Sequence, residues 1–359
     1  MPQLSVVIPT FNERENVPLL IGRLAEVLAG LDWEAIVVDD DSPDGTAAVA
    51  RGLAQQDPRV RVIHRIGRRG LSTAVVEGIQ ASSAPYAAVI DADLQHDEAI
   101  LPRMVARLEA EDLDVVVGSR HVEGGGLGDW NRARVRISQV ATKLAQMVLR
   151  ASLSDPMSGF FVMRRAAFDR CVHALSGQGF KILVDLFASA PEPLRFAEEP
   201  YVFRLRQHGE SKLDSQAMYD FLVLLADKTV GRFVPTRFLI FAAVGGLGIG
   251  VHLVALALLL NVLGVVFWLA QAGATLTAMT SNFLLNNTIT FRDRRLKGLR
   301  LLVGLISFYA VCAVGAVANV GIAEMIYRQD ITWWLAGIAG ALVGAVWNYA
   351  ASSIITWRK

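Results

Sequence analysis

Asp91 and Asp93 close a short apolar run, Tyr86 to Ile90, and are separated by a single residue. Residues two apart in an extended chain project to the same side, and two like charges held side by side repel unless a cation stands between them. Carboxylate oxygens so arranged suit Mg²⁺ or Mn²⁺, which keep several waters and take substrate phosphates as ligands in place of a closed protein cage. Polar groups follow two further β-rich runs: Pro9-Thr-Phe-Asn-Glu13 after the first and Asp39-Asp-Asp-Ser-Pro-Asp-Gly45 after the second. Asp, Asn and Gly after a strand are also ordinary turn and cap residues, and Asp44-Gly45 is read that way.

The elements that must position these groups alternate. β-rich runs at 4–9, 34–39, 60–64, 86–90 and 115–118 are separated by helical stretches at 16–29, 45–56, 72–81 and 101–111. That rhythm predicts a Rossmann-like parallel sheet with helices on both faces. Such sheets bind ligands beyond the carboxyl ends of their strands, which is where the acidic groups fall. Between 132 and 150 the period is helical, with Ile137, Val140, Leu144, Met147 and Val148 on one face and Arg132, Arg136, Lys143 and Arg150 on the other. An apolar face beside a basic one fits a helix lying in a bilayer interface, and fits equally a surface helix packed on the sheet. Arg134 and Ser138, four apart, are neighbours on adjoining turns. A second amphipathic stretch, 216–230, carries Met218, Phe221, Leu222 and Leu225.

Composition divides the chain. Of 359 residues 53% are hydrophobic and 19% charged, an apolar share above that of an ordinary soluble domain, and the excess lies after Phe238. Four segments there reach the length a bilayer demands: 238–260, 265–289, 299–326 and 333–355. Basic residues cluster before the first (Lys228, Arg232, Arg237), between the second and third (Arg292, Arg294, Arg295, Lys297, Arg300) and after the fourth (Arg358, Lys359). By the positive-inside rule those ends face the cytoplasm. The opening MPQLSVVIPTFNE lacks the pattern of a secretory signal, so the first domain is expected to be cytoplasmic too. A net charge of +1 gives no argument for nucleic-acid binding, and Cys171 and Cys312 fit neither a metal spacing nor a disulfide framework. His252 and Glu324 are ionisable residues within apolar segments, and functional candidates on that ground.

The membrane half contains a repeat. The segment Asn282-Phe-Leu-Leu-Asn-Asn-Thr-Ile-Thr-Phe-Arg292 lies on Asn348-Tyr-Ala-Ala-Ser-Ser-Ile-Ile-Thr-Trp-Arg358, with Asn, aromatic, Thr, aromatic and Arg in register. Phe238 then aligns with Phe308 and Gly245 with Gly315, giving two helical hairpins in parallel repeat. Asn282 and Asn348 are expected to hydrogen-bond between helices. The NFLLN end of the second helix resembles that of GtrA-like membrane domains.

In the first half, Val38-Asp-Asp-Asp-Ser-Pro-Asp-Gly-Thr46, Asp91-Ala-Asp-Leu-Gln-His96, Gly118-Ser-Arg120, Asp155-Pro-Met-Ser-Gly-Phe-Phe161 and His208-Gly-Glu-Ser-Lys212 together resemble family 2 glycosyltransferases of the GT-A fold, and among them the dolichol-phosphate mannose synthases. The resemblance implies transfer of a hexose, mannose from GDP-mannose first and glucose from UDP-glucose second, to dolichyl or polyprenyl phosphate with inversion. It implies that Pro9, Thr10, Asn12, Glu13, Val38, Asp39, Asp40, Asp91, Ala92 and Lys212 hold the nucleotide sugar, and that Asp91, Asp93 and Gln95 hold Mg²⁺ or Mn²⁺. Arg120, Arg134, Ser138 and Arg206 would grip the lipid phosphate, with Asp93, Arg120 and Asp155 as catalytic residues. A processive synthase is set aside because no Gln-x-x-Arg-Trp motif occurs. The expected organisation is a cytoplasmic GT-A domain over 1–213, an interfacial helix or linker over 214–236, and a four-helix GtrA-like domain over 237–359. The expected location is the plasma (inner) membrane with both termini cytoplasmic. The membrane half is expected to anchor the enzyme or to flip its lipid-linked product.

Overall fold

The computed structural model describes residues 1–128, 132–149, 151–177, 179–205, 215–231, 234–329 and 332–358. The chain forms two compact units, Met1–Thr229 and Val230–Lys359.

The first unit runs β1 (Leu4–Thr10), α1 (Asn16–Val27), β2 (Trp33–Asp39), α2 (Thr46–Gln56), β3 (Val60–His64), α3 (Leu71–Ala81), β4 (Tyr86–Val89), α4 (Leu101–Ala110), β5 (Val115–Ser119), α5 (Arg132–Gln146), β6 (Phe161–Arg164), α6 (Arg165–Cys171), α7 (Ile182–Ser189), β7 (Phe196–Pro200) and α8 (Ser215–Thr229). The seven strands form one sheet in the order β3-β2-β1-β4-β6-β5-β7. It is parallel except for β6, which runs antiparallel between β4 and β5. The expected parallel sheet is present, and β6 is its one antiparallel strand, entering from the rim end after the long excursion through α5.

The inner strands β1 and β2 are buried on both faces and largely apolar, and side-chain parity sorts them. Leu4, Val6 and Ile8 of β1 join Leu20 and Leu24 of α1 and Met104 and Leu108 of α4 on one face. Val7, Ile36 and Val38 join Ala74, Val75 and Ile79 of α3 on the other. That second face also receives Ala141, Ala145 and Leu149 of the α5 region and Phe221, Leu224 and Leu225 of α8. α8 is further pinned by Lys228, whose ammonium lies 2.7 Å from the buried Asp185 carboxylate. This packing carries the first compact unit through to Thr229.

The second unit holds α9 (Thr236–Ala257), α10 (Phe267–Leu285), α11 (Leu299–Tyr327) and α12 (Trp333–Ile354). Among the described residues three stretches are long and apolar enough to cross a membrane, Thr236–Val262, Leu299–Ile326 and Ile338–Thr356, and the span expected over 265–289 is not one of them. α10 is less apolar because it carries Gln271, Thr275, Thr277, Thr280, Ser281 and Asn282. Three of those hydroxyls return to their own helix, Thr275 to the Gln271 carbonyl, Thr277 to Gly273 and Thr280 to Leu276, which lowers the cost of placing them in an apolar setting.

The repeat is present with its first register corrected by one helical turn. A Cβ on Gly248 would lie 2.5 Å from the Asn282 amide, and one on Gly315 would lie 2.1 Å from the Asn348 oxygen, whereas Gly245 faces open space. Phe241 and Phe308 are likewise the buried pair of the aromatic core. Gly248 therefore corresponds to Gly315, and Phe241 to Phe308. Neither the Asn282 nor the Asn348 carbonyl oxygen receives a hydrogen bond, although both are buried, so these side chains pack against glycines and do not bridge helices through that atom. Glu324 pairs with Arg328 one turn on, near the end of α11, and both are exposed.

Candidate active site

β1, β2 and β4 are parallel neighbours, so their carboxyl ends meet on one rim. Three of the four described non-glycine residues in the left-handed region lie in the loops leaving those strands: Asn12 (φ 57°), Asp41 (φ 56°) and Leu94 (φ 61°). Backbone held in this region persists only where its surroundings enforce it, and it gathers at binding sites.

The loop after β2 is fixed by its own acids. The fully buried Asp39 accepts hydrogen bonds from the Thr10 hydroxyl (3.1 Å), the Ser42 amide (3.0 Å) and the Ser42 hydroxyl (2.6 Å). Asp40 accepts from Arg65 Nη1 and from the Gly70 amide, both at 2.6 Å. Burial holds the Asp40 carboxyl above its usual range, against the pull of the Gly70 amide and Arg65. Thr10 also donates to the Val38 carbonyl, and the Glu13 amide donates to Thr46, which ties β1 to the start of α2. Burial pushes the Asp44 carboxyl up, but hydrogen bonds from Thr46 and the Arg14 amide more than offset it and leave it below its usual range. Asp44 and the left-handed Gly45 are a turn and cap, as their types imply. Pro9, Thr10, Val38, Asp39 and Asp40 are buried and Asn12 is exposed, all on this rim.

The loop after β4 differs. Asp91 keeps 33% of its side chain exposed, and its Oδ2 lies 3.3 Å from His96 Nε2. The other ring nitrogen of the buried His96 lies 2.7 Å from the Tyr201 hydroxyl. A carboxylate can only accept, so the His96 Nε2 carries the proton that faces Asp91. Burial drives the Tyr201 phenol well above its usual range and keeps it a donor. His96, Phe160, Tyr201 and Phe203 pack ring against ring beneath Asp91, with centroids of His96 and Phe160 5.3 Å apart. A Cβ on Gly159 would lie 2.7 Å from Asp91 Oδ2, so a side chain there would push the carboxylate aside. Asp93 is buried and accepts from the Gln95 amide at 3.2 Å. The Gln95 side-chain nitrogen donates to the Arg204 carbonyl, which leaves its carbonyl oxygen as the atom with ligand character. Among the described residues no three His, Cys, Asp or Glu side chains gather as a metal cage. What the rim offers is carboxylate and amide oxygens with one carboxylate open to solvent, a donor set that fits a hard divalent cation retaining water and substrate ligands.

Arg120, at the end of β5, and Asp155 form a buried bidentate pair: Nε to Oδ2 at 2.7 Å and Nη2 to Oδ1 at 2.8 Å, with the Arg120 amide also donating to Oδ2. Burial works against both charges, but the pair holds Asp155 below and Arg120 above their ordinary values. Glu198 accepts from the Ser154 and Asp155 amides, and the Phe203 ring lies 5.1 Å from the Arg120 guanidinium.

α5 combines both readings of its sequence. Ala141 and Ala145 dock on the sheet, while Ile137, Val140 and Met147 stay exposed. Ser138 is half-buried on this helix; the Arg134 side chain, Arg206 and Lys212 lie outside what is described. Sequence reasoning missed Arg65, Tyr201, Phe203, Arg204 and Glu198, and gave His96 no role although it stands in the quoted motif.

Residues 5–172 match glycosyl transferase family 2, and residues 240–357 match the GtrA/DPMS transmembrane domain. The chain is 33% identical over 357 residues to a dolichol-phosphate mannosyltransferase of Pyrococcus furiosus, covering 99% of each. It is 37% identical over 249 residues to one of Mycosarcoma maydis (67% of this chain, 84% of that protein) and 34% identical over 251 residues to one of Saccharomyces cerevisiae (67% and 91%). A seven-stranded GT-A-like sheet with acids along its rim, continuous with an apolar helical unit and matched over the full length, makes the chain a membrane glycosyltransferase of family 2 joined to a GtrA/DPMS transmembrane domain.

Proposed function

We propose that the protein transfers mannose from GDP-mannose to the phosphate of a polyprenyl or dolichyl lipid, with inversion at the anomeric carbon. The carrying observation is the partly exposed Asp91 on a rim where the neighbouring acids are buried and engaged, in a chain whose full-length relative bears the mannosyltransferase name. Asp91, Asp93 and the Gln95 carbonyl would hold Mg²⁺ or Mn²⁺. When bound, the ion neutralises charge developing on the departing diphosphate. The remaining work belongs to the chain. The rim of Pro9, Thr10, Asn12, Glu13, Val38, Asp39, Asp40 and Ala92, with Lys212, takes the nucleotide. His96, set by Tyr201, orients the Asp91 carboxylate. Asp155 holds Arg120 rigid, so that a positive charge stands ready between two anionic substrates, with Arg134, Ser138 and Arg206 on the acceptor side.

The lipid phosphate is an anion at neutral pH and needs no general base. Its oxygen attacks the anomeric carbon on the side opposite the nucleotide; the new sugar–oxygen bond forms as the bond to the diphosphate breaks, through an oxocarbenium-like state. The exposed Ile137 and Val140 of α5, Met147 just after it, and Met218 and Leu222 of α8 support a unit resting on a bilayer. By the charge pattern, this unit and both termini face the cytoplasm, at the plasma (inner) membrane.

The test is incubation of membranes holding the chain with labelled GDP-mannose or labelled UDP-glucose, followed by organic extraction. Label enters the lipid phase from GDP-mannose; entry from UDP-glucose alone overturns the mannose assignment. One observation favours a second role for the membrane unit as carrier of the lipid-linked sugar: a cavity of about 460 Å³ lined by Asn282, Asn286, Asn319 and Asn348 offers neutral hydrogen-bonding groups in an apolar setting. Asn282→Leu with Asn348→Leu then leaves transfer intact and stops sugar from reaching the opposite leaflet of sealed vesicles.

A further inference from the structure

The connection between α10 and α11 and the end of the chain after α12 form a pocket of about 710 Å³ lined by Asp293, Arg294, Arg295, Lys297, Arg300 and Arg358, with Leu296 at its wall. Its one carboxylate, Asp293, is already 2.8 Å from Arg237. Among the described residues no acid pairs with Arg295, Lys297, Arg300 or Arg358.

These cations are not on a loose loop. The buried Asn287 accepts from the Leu296 amide (2.8 Å) and the Trp357 indole (3.1 Å) and donates to the Leu296 carbonyl (3.1 Å). One side chain thereby clamps the segment carrying Arg294 to Lys297 onto the residue preceding Arg358. Trp357 stacks on Phe291 with centroids 4.3 Å apart and planes 7° from parallel, and its carbonyl accepts from Arg294 Nη1 at 3.2 Å. A rigid scaffold thus holds together four positive charges that pair with no acid among the described residues, an arrangement that repels itself until an anion enters. Beside the pocket the surface turns apolar: Leu299 is 77% exposed, Val303 62% and Ile354 71%.

We propose that this pocket binds the phosphate head of an anionic membrane phospholipid, whose acyl chains lie along Leu299, Val303 and Ile354. The ligand chemistry is a phosphate ester, and the flanking apolar surface selects a lipid over a free phosphate ion. The site shares no residue with the transfer rim, so the proposal stands or falls independently of the donor sugar.

The full chain is reconstituted in nanodiscs of phosphatidylcholine with and without phosphatidylglycerol, and retained lipid is counted by native mass spectrometry after mild extraction. Each cation near an anionic lipid surface is worth about fivefold in affinity, so R295Q/K297Q/R300Q lowers retention of phosphatidylglycerol about 100-fold. The charge-conserving R295K/R300K retains it, and wild-type protein gains thermal stability from phosphatidylglycerol but not from inorganic phosphate. Equal retention by the neutralised variant and the wild type overturns the proposal, as does protection by inorganic phosphate equal to that by the lipid. Circular dichroism of each variant confirms the helical unit before the comparison is made.

Discussion

Two aspartate pairs stand at the ends of parallel strands on the same rim, and the fold uses them differently. Asp39 and Asp40 are buried and accept from Thr10, Ser42, Arg65 and the Gly70 amide, so their charge organises the protein. Asp93 is also buried, but Asp91 keeps a third of its surface open and is steadied from behind by the buried His96. Adjacent acids in a sequence are therefore no guide to which will meet a ligand. What separates them is the supply of internal donors: the β2 loop is crossed by Arg65 and a glycine amide, whereas the β4 loop is backed by an aromatic cluster that leaves one carboxylate facing outward.

Four substitutions or titrations sharpen or break that contrast. Asp93→Ala removes one of the two carboxylates read as cation ligands, and kcat/KM for transfer should fall by about 10⁴-fold, about 5 kcal/mol, with the thermal midpoint unchanged. An unchanged rate would erase the distinction between the pairs. Arg65→Ala strands the Asp40 charge in the interior, and chemical denaturation of the full chain in micelles should show a loss of about 3 kcal/mol or more. A neutral outcome would mean Asp40 is not held by that ion pair. Gly159→Ala displaces the Asp91 carboxylate without touching the core, so transfer should slow about tenfold, about 1.4 kcal/mol in the barrier, while the denaturation midpoint stays put.

The smallest effect is in the pH profile, where the two loops and their neighbours carry opposite signs. Asp155 titrates below the ordinary aspartate value of 3.8 when folded, so its contribution is present above 3.8 and lost as the pH falls through the folded value. Asp40 titrates above 3.8, so its ionised form opposes folding at neutral pH and that opposition is relieved as the pH falls toward 3.8. Stability of the wild type should rise shallowly on acidification and then drop below 3.8. Asp40→Asn should lose the shallow rise and keep the drop.

The first five strands and the acidic rim were legible because each strand is a short apolar run ending in polar residues, and parallel neighbours bring those ends together. β6 and β7 were not: Phe161–Arg164 is four residues long, and Phe196–Pro200 carries two glutamates. The motif containing Asp155 was visible, but its pairing with Arg120 spans 35 positions, and the support of Asp91 by His96 depends on Tyr201, 105 positions further on. Such contacts are products of the closed sheet and leave no periodic trace. On α5 the helical period was clear, yet the docking residues are Ala141 and Ala145, whose small side chains weigh little in an apolar pattern, while the larger Ile137 and Val140 face outward. In the membrane unit the repeat was visible, but Phe238 and Phe241 lie one turn apart on one face, and only the contacts of Gly248 and Gly315 with asparagine fix the register.

The central claim is a divalent cation held at Asp91 and Asp93 where a nucleotide sugar meets a lipid phosphate. Its most direct test is transfer of label from GDP-mannose to added polyprenyl phosphate by the purified chain, measured with Mg²⁺ or Mn²⁺, after chelation, and after the cation is restored. The account requires lipid-soluble label to vanish on chelation and return with the ion in wild type, and to stay absent in Asp93→Ala throughout. Undiminished product in the presence of chelator would contradict it.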